Sequence, residues 1–168
     1  FDGDGLAEIY SQKKNETGWR NLRELALIDR SLAGLPEGAE ILDLPCGTGR
    51  VSFHLTRNGF RVTAADASPN MVRVAKDNAH QMGMDRIDFS VRDILQTGFP
   101  DNAFDAVICN RLLHHYRNPE LRISILRELK RISRGRVIVF YFIRIPVSLI
   151  TFDLRNRIYG KVPKDRIP

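Results

Sequence analysis

The chain has 168 residues, of which 43% are hydrophobic and 27% charged, and this composition is typical of one globular domain with a hydrophobic core. Its two cysteines are too few for a disulfide-stapled scaffold, so a reducing cytoplasm is the expected compartment. The net charge of +6 allows a polyanionic partner but is too small to indicate one. The polar start at residues 1–5 predicts no signal segment, and its lack of an initiator methionine predicts a natural N-terminus further upstream.

The first predicted elements are a helix, a strand, a second helix and a second strand. Residues 6–35 predict an amphipathic helix that ends at Pro36–Gly38, with apolar side chains at three- and four-residue steps from Leu22 to Leu35. The apolar run at residues 41–44 predicts a short strand. Residues 45–49 predict a glycine-containing turn into the next helix, and residues 60–66 predict the second strand.

The second half of the chain continues this alternation. Ser68–Pro69 is typical of an N-cap followed by the first helical position. Apolar runs predict a third strand over residues 87–91 and a fourth over residues 104–109. The last predicted elements are a helix over residues 119–132 and a fifth strand over residues 136–142. This fifth strand is nearly all apolar, which predicts that it is buried on both faces.

Strands alternate with helices from residue 41 to residue 142. This pattern predicts βαβ units, right-handed crossovers and a parallel α/β sheet with helices on both faces. Ligands of such sheets bind at the carboxyl ends of the strands, where the strand order reverses. Because every unusual polar or glycine cluster of the chain follows a predicted strand, the sequence places a ligand site at that edge.

Two features of this edge favour a nucleotide-like ligand. Gly47 and Gly49 allow a sharp turn and a close approach of the backbone to a ligand, and the helix after them offers free N–H groups. The alternative is a tight turn without a ligand. Asp66 closes the second strand, where a carboxylate can accept both ribose hydroxyls. The alternative for Asp66 is a solvated acid or a helix cap.

Four segments in order and spacing carry a resemblance to a known family. They are residues 41–49 (ILDLPCGTG), 65–71 (ADASPNM), 91–94 (VRDI) and 104–115 (FDAVICNRLLHH). From residue 20 to residue 142 the chain closely resembles the class I S-adenosylmethionine-dependent methyltransferases, in particular their small-molecule branch. The resemblance implies a Rossmann-like, doubly wound, mostly parallel sheet with strand order 3-2-1-4-5. It also implies methyl transfer from S-adenosylmethionine to a small O or N acceptor, apolar or lipid-like ones included, with S-adenosylhomocysteine as product.

The resemblance further implies a role for individual residues. At the methionine end of the cofactor it implies Asp43, the turn residues Pro45, Cys46, Gly47 and Gly49, the backbone of Asn110 and, from the first helix, Arg20. At the nucleoside end it implies Asp66 on the ribose, Ala67 and Met71 against the adenine or ribose, and Asp93 with the Ile94 backbone on the adenine. The family usually has Gly where this chain has Pro45, which offers no backbone N–H.

The histidines and cysteines near this edge have less definite roles. His114 and His115 follow the fourth strand, where a histidine can take a proton from the acceptor, although methyl transfer to a good nucleophile needs only alignment and desolvation. The alternative is that they pack or cap a helix. Cys46 and Cys109 end adjacent strands in the implied order and are expected to be small buried thiols. No metal site is predicted.

The last segment is basic and amphipathic. Residues 144–168 hold six Lys or Arg against two Asp, which places +4 of the net charge there. This tail can shield the acceptor site, touch anionic lipid headgroups at a membrane surface, or pack on the sheet edge. The family's final edge hairpin is missing, so we expect a truncated chain. We divide the single domain into a helical cap (residues 1–38), a core (39–142) and a tail or lid (143–168).

Three rival functions stay open, and the oligomeric state is not indicated. An NAD-dependent dehydrogenase shares the glycine turn and Asp66, but its spacing needs Gly or Ala at Ser52. A nucleic-acid methyltransferase would use the positive charge, yet residues 110–113 (NRLL) are not an Asn/Asp-Pro-Pro-aromatic motif and no Pro-Cys motif follows the fourth strand. A non-catalytic module that binds S-adenosylmethionine is compatible with the same residues.

Overall fold

The computed structural model of the chain describes residues 18–141, so most of the helical cap and the tail lie outside the described residues. The elements in this range alternate between helix and strand. They are helix α1 (Trp19–Leu32), β1 (Glu40–Asp43), α2 (Arg50–Arg57), β2 (Arg61–Asp66), α3 (Pro69–Gln81), β3 (Asp88–Val91), β4 (Phe104–Asn110), a 3-10 turn (Leu113–His115), α4 (Pro119–Ile132) and β5 (Ser133–Phe140).

The five strands form one parallel sheet in the order β3-β2-β1-β4-β5. β1 lies in the middle, where Ile41 is in register with Val62 of β2 on one side and with Ala106 of β4 on the other. The chain winds outward from β1 to β3 and then crosses back to β4, so the winding reverses between β1 and β4. This confirms the predicted sheet and strand order, and it places the crevice of the fold at the carboxyl ends of β1 and β4.

Helices cover both faces of the sheet, as predicted. Successive strand residues point to opposite sides, so Ile41 and Ile108 belong to one apolar cluster and Leu42 and Cys109 to the other. The buried helical side chains of the first cluster are Ile28, Leu32, Val51, Phe53, Leu55, Ala75 and Ala79, and those of the second are Ile125, Leu129 and Ile132. Helices α1, α2 and α3 therefore pack on one face and α4 on the other.

Two helices begin with the same combination of an N-cap and a proline. The Ser68 hydroxyl accepts the N–H of Met71 at 3.4 Å, and Pro69 opens α3 as predicted. The side-chain oxygen of Asn118 accepts the N–H of Glu120 at 2.9 Å, and the proline after it opens α4. Such a cap satisfies one free donor of the first turn, while proline fixes φ there. The bounds of α4 are those predicted.

The fifth strand differs from its prediction in bounds and in burial. It begins at Ser133 rather than at residue 136 and ends at Phe140 rather than at residue 142. Gly135 permits the early start, because a Cβ there would lie 2.4 Å from the backbone oxygen of Asp105. Most of its side chains are exposed or half-buried, so the prediction of burial on both faces is wrong. β5 lies at the edge of the described sheet, where apolar composition does not ensure cover.

The first helix ends three residues earlier than predicted. α1 stops at Leu32 rather than at Leu35, and the chain then turns through Gly34, whose φ of +83° lies outside the helical region. Ile28 and Leu32 are buried as the apolar pattern predicts, but Leu22 of the same pattern is exposed. Between residues 18 and 141, no helix combines the length and the apolar character needed to cross a membrane.

Candidate active site

The glycine turn after β1 is hydrogen-bonded to β2 and forms one side of the site. The N–H of Cys46 donates to the carbonyl of Ala65 at 2.8 Å, and the N–H of Gly49 donates to the carbonyl of Cys46 at 3.0 Å. Pro45 follows a cis peptide bond. Gly47 and Gly49 have φ of +54° and +94°, which glycine adopts without strain. α2 begins directly after Gly49 with no side-chain cap, so its first N–H groups are directed toward this edge.

Gly49→Ala is expected to destabilise the protein more than Gly34→Ala. Both positions have similar positive φ, +94° and +83°, so alanine is strained at either one by roughly 1–2 kcal/mol. At Gly49 the new Cβ would also lie 2.3 Å from the Phe53 ring, whereas at Gly34 nothing lies within 4 Å. Chemical unfolding should show an additional loss of about 1 kcal/mol or more at Gly49. Equal losses would mean that the Phe53 ring moves aside without cost.

Asp66 ends β2 and lies against this turn. Its Oδ2 accepts the N–H of Gly47 at 2.9 Å, and its Oδ1 accepts the N–H of Ser68 at 3.0 Å. Burial raises the pKa of this carboxyl, and the backbone N–H donors oppose the rise. Each carboxylate oxygen can accept a second donor. The Asp66 carboxylate is therefore held in place and still able to accept hydroxyl groups.

Asp43 is fully buried at the end of β1. The Ser52 hydroxyl donates to its Oδ2 at 2.6 Å. Burial raises the pKa of Asp43 to about 7, although the Ser52 hydroxyl and the nearby Arg50 favour the ionised form. In the sequence, Ser52 bears only on the dinucleotide alternative, against which it argues. The nine-residue spacing from Asp43 gave no signal that the two side chains meet.

Around the ends of β1 and β4, buried polar atoms on three residues have no hydrogen-bond partner among residues 18–141. They are Oδ1 of Asp43, Nη1 of Arg50 and Oδ1 of Asn110, the last residue of β4. Buried polar atoms are normally paired, so such a group points to a ligand. Two acceptors and one cationic donor match the ammonium and the carboxylate of an amino acid. No pattern in the sequence indicates Arg50, and for Asn110 the family resemblance implies the backbone and not the amide side chain.

The residues predicted at the nucleoside end lie next to Asp66. The N–H of Arg92 donates to the Asp66 carbonyl at 3.0 Å, which holds the segment after β3 against the end of β2. Asp93 is exposed, and its Oδ1 accepts the N–H of Leu95 at 2.9 Å, while Ile94 is buried. The other two predicted residues are Ala67, which is exposed, and Met71, which is half-buried.

His114 and His115 lie in the 3-10 turn that follows β4 at the same edge. Their rings are tilted by 38° with centroids 4.1 Å apart, and the ring of His114 meets that of Tyr141 edge-on at 6.4 Å. His114 is half-buried and His115 is exposed. This position is compatible with proton transfer to or from an acceptor, and the role of a base stays a prediction.

A buried acid on α1 connects this helix to both walls of the crevice. Glu24 accepts hydrogen bonds from Arg50, at the start of α2, and from Arg111, directly after β4. The sequence does not indicate Glu24 or Arg111, because their pairing spans 87 residues and leaves no local pattern. Arg20 lies in the first turn of the same helix, and its side chain falls outside the described part of the chain.

The two cysteines are buried and form no disulfide with each other. Cys109 lies in β4, and Cys46 lies just after β1, the neighbouring strand. Burial raises the pKa of the Cys109 thiol to about 12 and raises that of Cys46 as well. Both are therefore protonated near neutral pH and poor nucleophiles.

Both thiols are expected to react slowly with a disulfide reagent in the native protein at pH 8. In denaturant without reductant, two thiols per chain should titrate at once, since unfolding restores ordinary thiol pKa values. Absorbance of the released thiolate measures both phases. Finding no free thiol in denaturant would indicate a disulfide and contradict the expected reducing compartment.

A separate depression of about 760 Å³ opens at the opposite edge of the sheet. Glu40, Arg61 and Asp88 line it at the amino ends of β1, β2 and β3. Ligands of parallel α/β sheets bind at the carboxyl ends, so we assign the site to the edge that holds Asp43, Asp66 and Asn110.

The chain is similar to several known proteins. A family model described as a methyltransferase domain matches residues 41–135. The demethylmenaquinone methyltransferase of Clavibacter sepedonicus is 36% identical over 114 residues, which are 67% of this chain and 45% of that protein. The ubiquinone biosynthesis O-methyltransferase of Xanthomonas axonopodis pv. citri strain 306 is 35% identical over 85 residues, 50% of this chain and 35% of that protein. The chain thus spans less than half the length of these two relatives.

The fold also matches solved structures. The PH0226 protein of Pyrococcus horikoshii OT3 superposes with a TM-score of 0.68 and 26% sequence identity, over 83% of this chain and 61% of that chain.

Proposed function

Because the chain belongs to the methyltransferase-domain family, whose model it matches over residues 41–135, we propose that it transfers a methyl group from S-adenosylmethionine to a small-molecule acceptor. The observation that carries this proposal is the group of partnerless buried atoms on Asp43, Arg50 and Asn110 beside the glycine turn. A turn without a ligand would not need these atoms. An amino-acid group such as the methionine end of the cofactor satisfies all three.

The residues at this edge fit the two ends of the cofactor. At the methionine end, Asp43 and Asn110 would accept from the ammonium, and Arg50 would donate to the carboxylate, with the turn Pro45–Gly49 beside them and Arg20 as a further carboxylate partner. At the nucleoside end, Asp66 would accept the ribose hydroxyls, and Ala67, Met71, Asp93 and Ile94 would surround the ribose and adenine. The bound cofactor supplies an electrophilic methyl group on a sulfonium ion.

The chain's own residues would align the acceptor and receive its proton. The acceptor's lone pair forms the new bond to carbon while the carbon–sulfur electrons return to sulfur, so an O–H or N–H acceptor must lose one proton. His114 or His115 can take it at a ring nitrogen. A nucleophile that is already deprotonated needs only alignment in a site without water.

The names of the relatives support a small apolar acceptor. One is named for ubiquinone biosynthesis and O-methylation and the other for demethylmenaquinone. We therefore propose a ring-bearing, lipid-like molecule as the acceptor class, with an oxygen atom as the first acceptor to test. This class needs an apolar surface near the methyl group, and residues 143–168, outside the described part of the chain, carry apolar positions that can supply it.

Calorimetry with S-adenosylhomocysteine tests the cofactor proposal, with NADH as the control ligand. We expect saturable binding of the first and none of the second. Binding of NADH alone would support the dehydrogenase alternative instead. Incubation with methyl-labelled S-adenosylmethionine and phenolic or quinol acceptors then tests catalysis. Cofactor binding without label transfer to any acceptor would favour a non-catalytic binding module.

We also propose that the core, residues 39–142, binds the cofactor while residues 143–168 cover the acceptor. The charge and apolar positions of that tail support this division. Arg155→Ala with Arg157→Ala should then preserve S-adenosylhomocysteine affinity and lower turnover. A loss of thermal stability with normal turnover per folded molecule would instead indicate a helix that only packs.

A further inference from the structure

Glu24 is a buried carboxylate that lies between two arginines. Its Oε2 accepts from Nη2 of Arg50 at 2.5 Å and from Nη2 of Arg111 at 2.7 Å, and its Oε1 accepts from Nε of Arg111 at 3.0 Å. Nη2 of Arg111 also donates to the side-chain oxygen of Asn21, one turn earlier on α1, at 2.7 Å. Glu24 is only 7% exposed. The Arg50 and Arg111 side chains are partly exposed, but the bidentate fork on a buried carboxylate fixes geometry better than a surface ion pair does.

The two arginines belong to opposite walls of the crevice. Arg50 is the first residue of α2, directly after Gly49, and Arg111 directly follows Asn110 at the end of β4. The backbone of Arg111 has φ of +56°, a left-handed conformation that is uncommon for a residue other than Gly, Asn or Asp. Its N–H donates to the Phe140 carbonyl of β5 at 3.2 Å. The side-chain fork on Glu24 and this bond together hold Arg111 in that conformation.

The pairing also determines what Arg50 offers to a ligand. One terminal nitrogen of its guanidinium is bound to Glu24, while the other, Nη1, is the buried donor without a partner among the described residues. The planar guanidinium cannot turn one nitrogen without moving the other. Glu24 therefore sets the direction of the free donor.

We propose that Glu24 is a positioning residue for the amino-acid end of the cofactor: it joins α1 to both walls of the crevice and aims Arg50 at the cofactor carboxylate. The proposal rests on the proposed function. Glu24 itself does not touch the cofactor. Its effect should therefore be confined to ligands that carry the amino-acid end and be absent for the nucleoside end beside Asp66.

Two ligands distinguish an effect on the amino-acid end of the cofactor from an effect on the nucleoside end. S-adenosylhomocysteine carries both, whereas 5′-methylthioadenosine has the nucleoside and lacks the amino-acid group. In Glu24→Ala and Glu24→Gln we expect the Kd for S-adenosylhomocysteine to rise by about tenfold or more, because the half-buried Arg50 loses its charged partner. The Kd for 5′-methylthioadenosine should stay within about twofold, since no Glu24 contact reaches the nucleoside end. Calorimetry on the 168-residue chain measures both.

Arg111→Asn repeats the test from the other side of the pair, since Asn tolerates left-handed φ and removes the guanidinium. It should give a smaller loss with the same selectivity, because Glu24 keeps Arg50 but loses the fork that fixes its own position. This variant carries the test if Glu24→Ala does not fold. Glu40→Ala is the matched control: Glu40 pairs with Arg134 at 2.7 Å at the amino ends of the strands, and its loss should change neither Kd.

The outcomes distinguish this inference from the function on which it rests. Equal weakening of both ligands in the Glu24 variants would show that Glu24 only stabilises the fold, and no weakening of either would show that the pairing does not matter for binding. Both results overturn the positioning role. If the unmodified chain binds neither ligand, the proposed function itself fails.

Discussion

Asp66→Ala is expected to weaken S-adenosylhomocysteine binding by about 1.5–3 kcal/mol, or roughly 10- to 150-fold in Kd. The variant removes the carboxylate proposed to accept the ribose hydroxyls. It also leaves the N–H groups of Gly47 and Ser68 without their present acceptor, so the glycine turn loses one of its hydrogen bonds to the end of β2. Both effects act on the same ligand, and calorimetry at fixed pH measures their sum.

Two further variants separate the lost ribose contact from a general loss of stability beside it. Asp66→Asn keeps one acceptor and the shape of the side chain, so it should retain part of the affinity. Ser68→Ala removes the cap of α3, which costs about 1 kcal/mol of stability, but leaves the Asp66 carboxylate intact. We expect its affinity to change by less than about twofold. Unchanged affinity in Asp66→Ala would remove the ribose role.

The parts of the fold that follow from local chemistry were predictable. The N-cap and proline at Ser68–Pro69 and the bounds of α4 at Pro119–Ile132 each depend on a few neighbouring residues, and the structure confirms them. The strand order was implied by the family resemblance rather than by periodicity, and it is also confirmed. The burial of β5 was predicted wrongly, because an apolar strand has the same sequence pattern in the middle of a sheet and at its edge.

The residues of the candidate site likewise fall into those that local sequence indicates and those that depend on long-range packing. Residues within the short segments, such as Gly47 and Asp66, could be located from sequence because the turn and the strand end are local. The pairing of Glu24 with Arg111 could not, since it joins positions 87 residues apart and depends on how α1 lies against the sheet. The positive φ of Arg111 likewise has no signal in its residue type. Long-range polar pairs of this kind become visible only once the helices are packed.

Asp43→Asn is expected to remove a large pH dependence from the stability of the protein. Burial raises the pKa of Asp43 from its ordinary 3.8 to about 7 in the folded state. Between these two values the unfolded chain has lost the proton that the folded chain still holds, so the free energy of unfolding falls as the pH rises. The difference between the two pKa values corresponds to about 4 kcal/mol, lost between about pH 4 and pH 7.

The comparison of wild type and variant isolates this group from the other groups whose titration changes the stability. Glu128 acts in the opposite sense, because hydrogen bonds from Arg131 lower its pKa to about 2. It is unchanged in Asp43→Asn, so it cancels in the difference. Asn has the shape of Asp and its oxygen can still accept the Ser52 hydroxyl. The variant should therefore gain stability over wild type as the pH rises from 4 to 7, and the gain should level off above pH 7.

Ser52→Ala tests the pKa of Asp43 by removing the hydroxyl that donates to its carboxylate. The Ser52 hydroxyl donates to Asp43 and lowers its pKa, as does the charge of Arg50, whereas Asp66 raises it. Without that hydroxyl the pKa of Asp43 should rise further, and the fall in stability should continue to higher pH than in wild type. Urea unfolding at half-unit steps from pH 4.5 to pH 8.5 measures all three proteins. Parallel curves for wild type and Asp43→Asn would show that the buried carboxyl is ionised throughout, as it would be if water or ions reached its Oδ1.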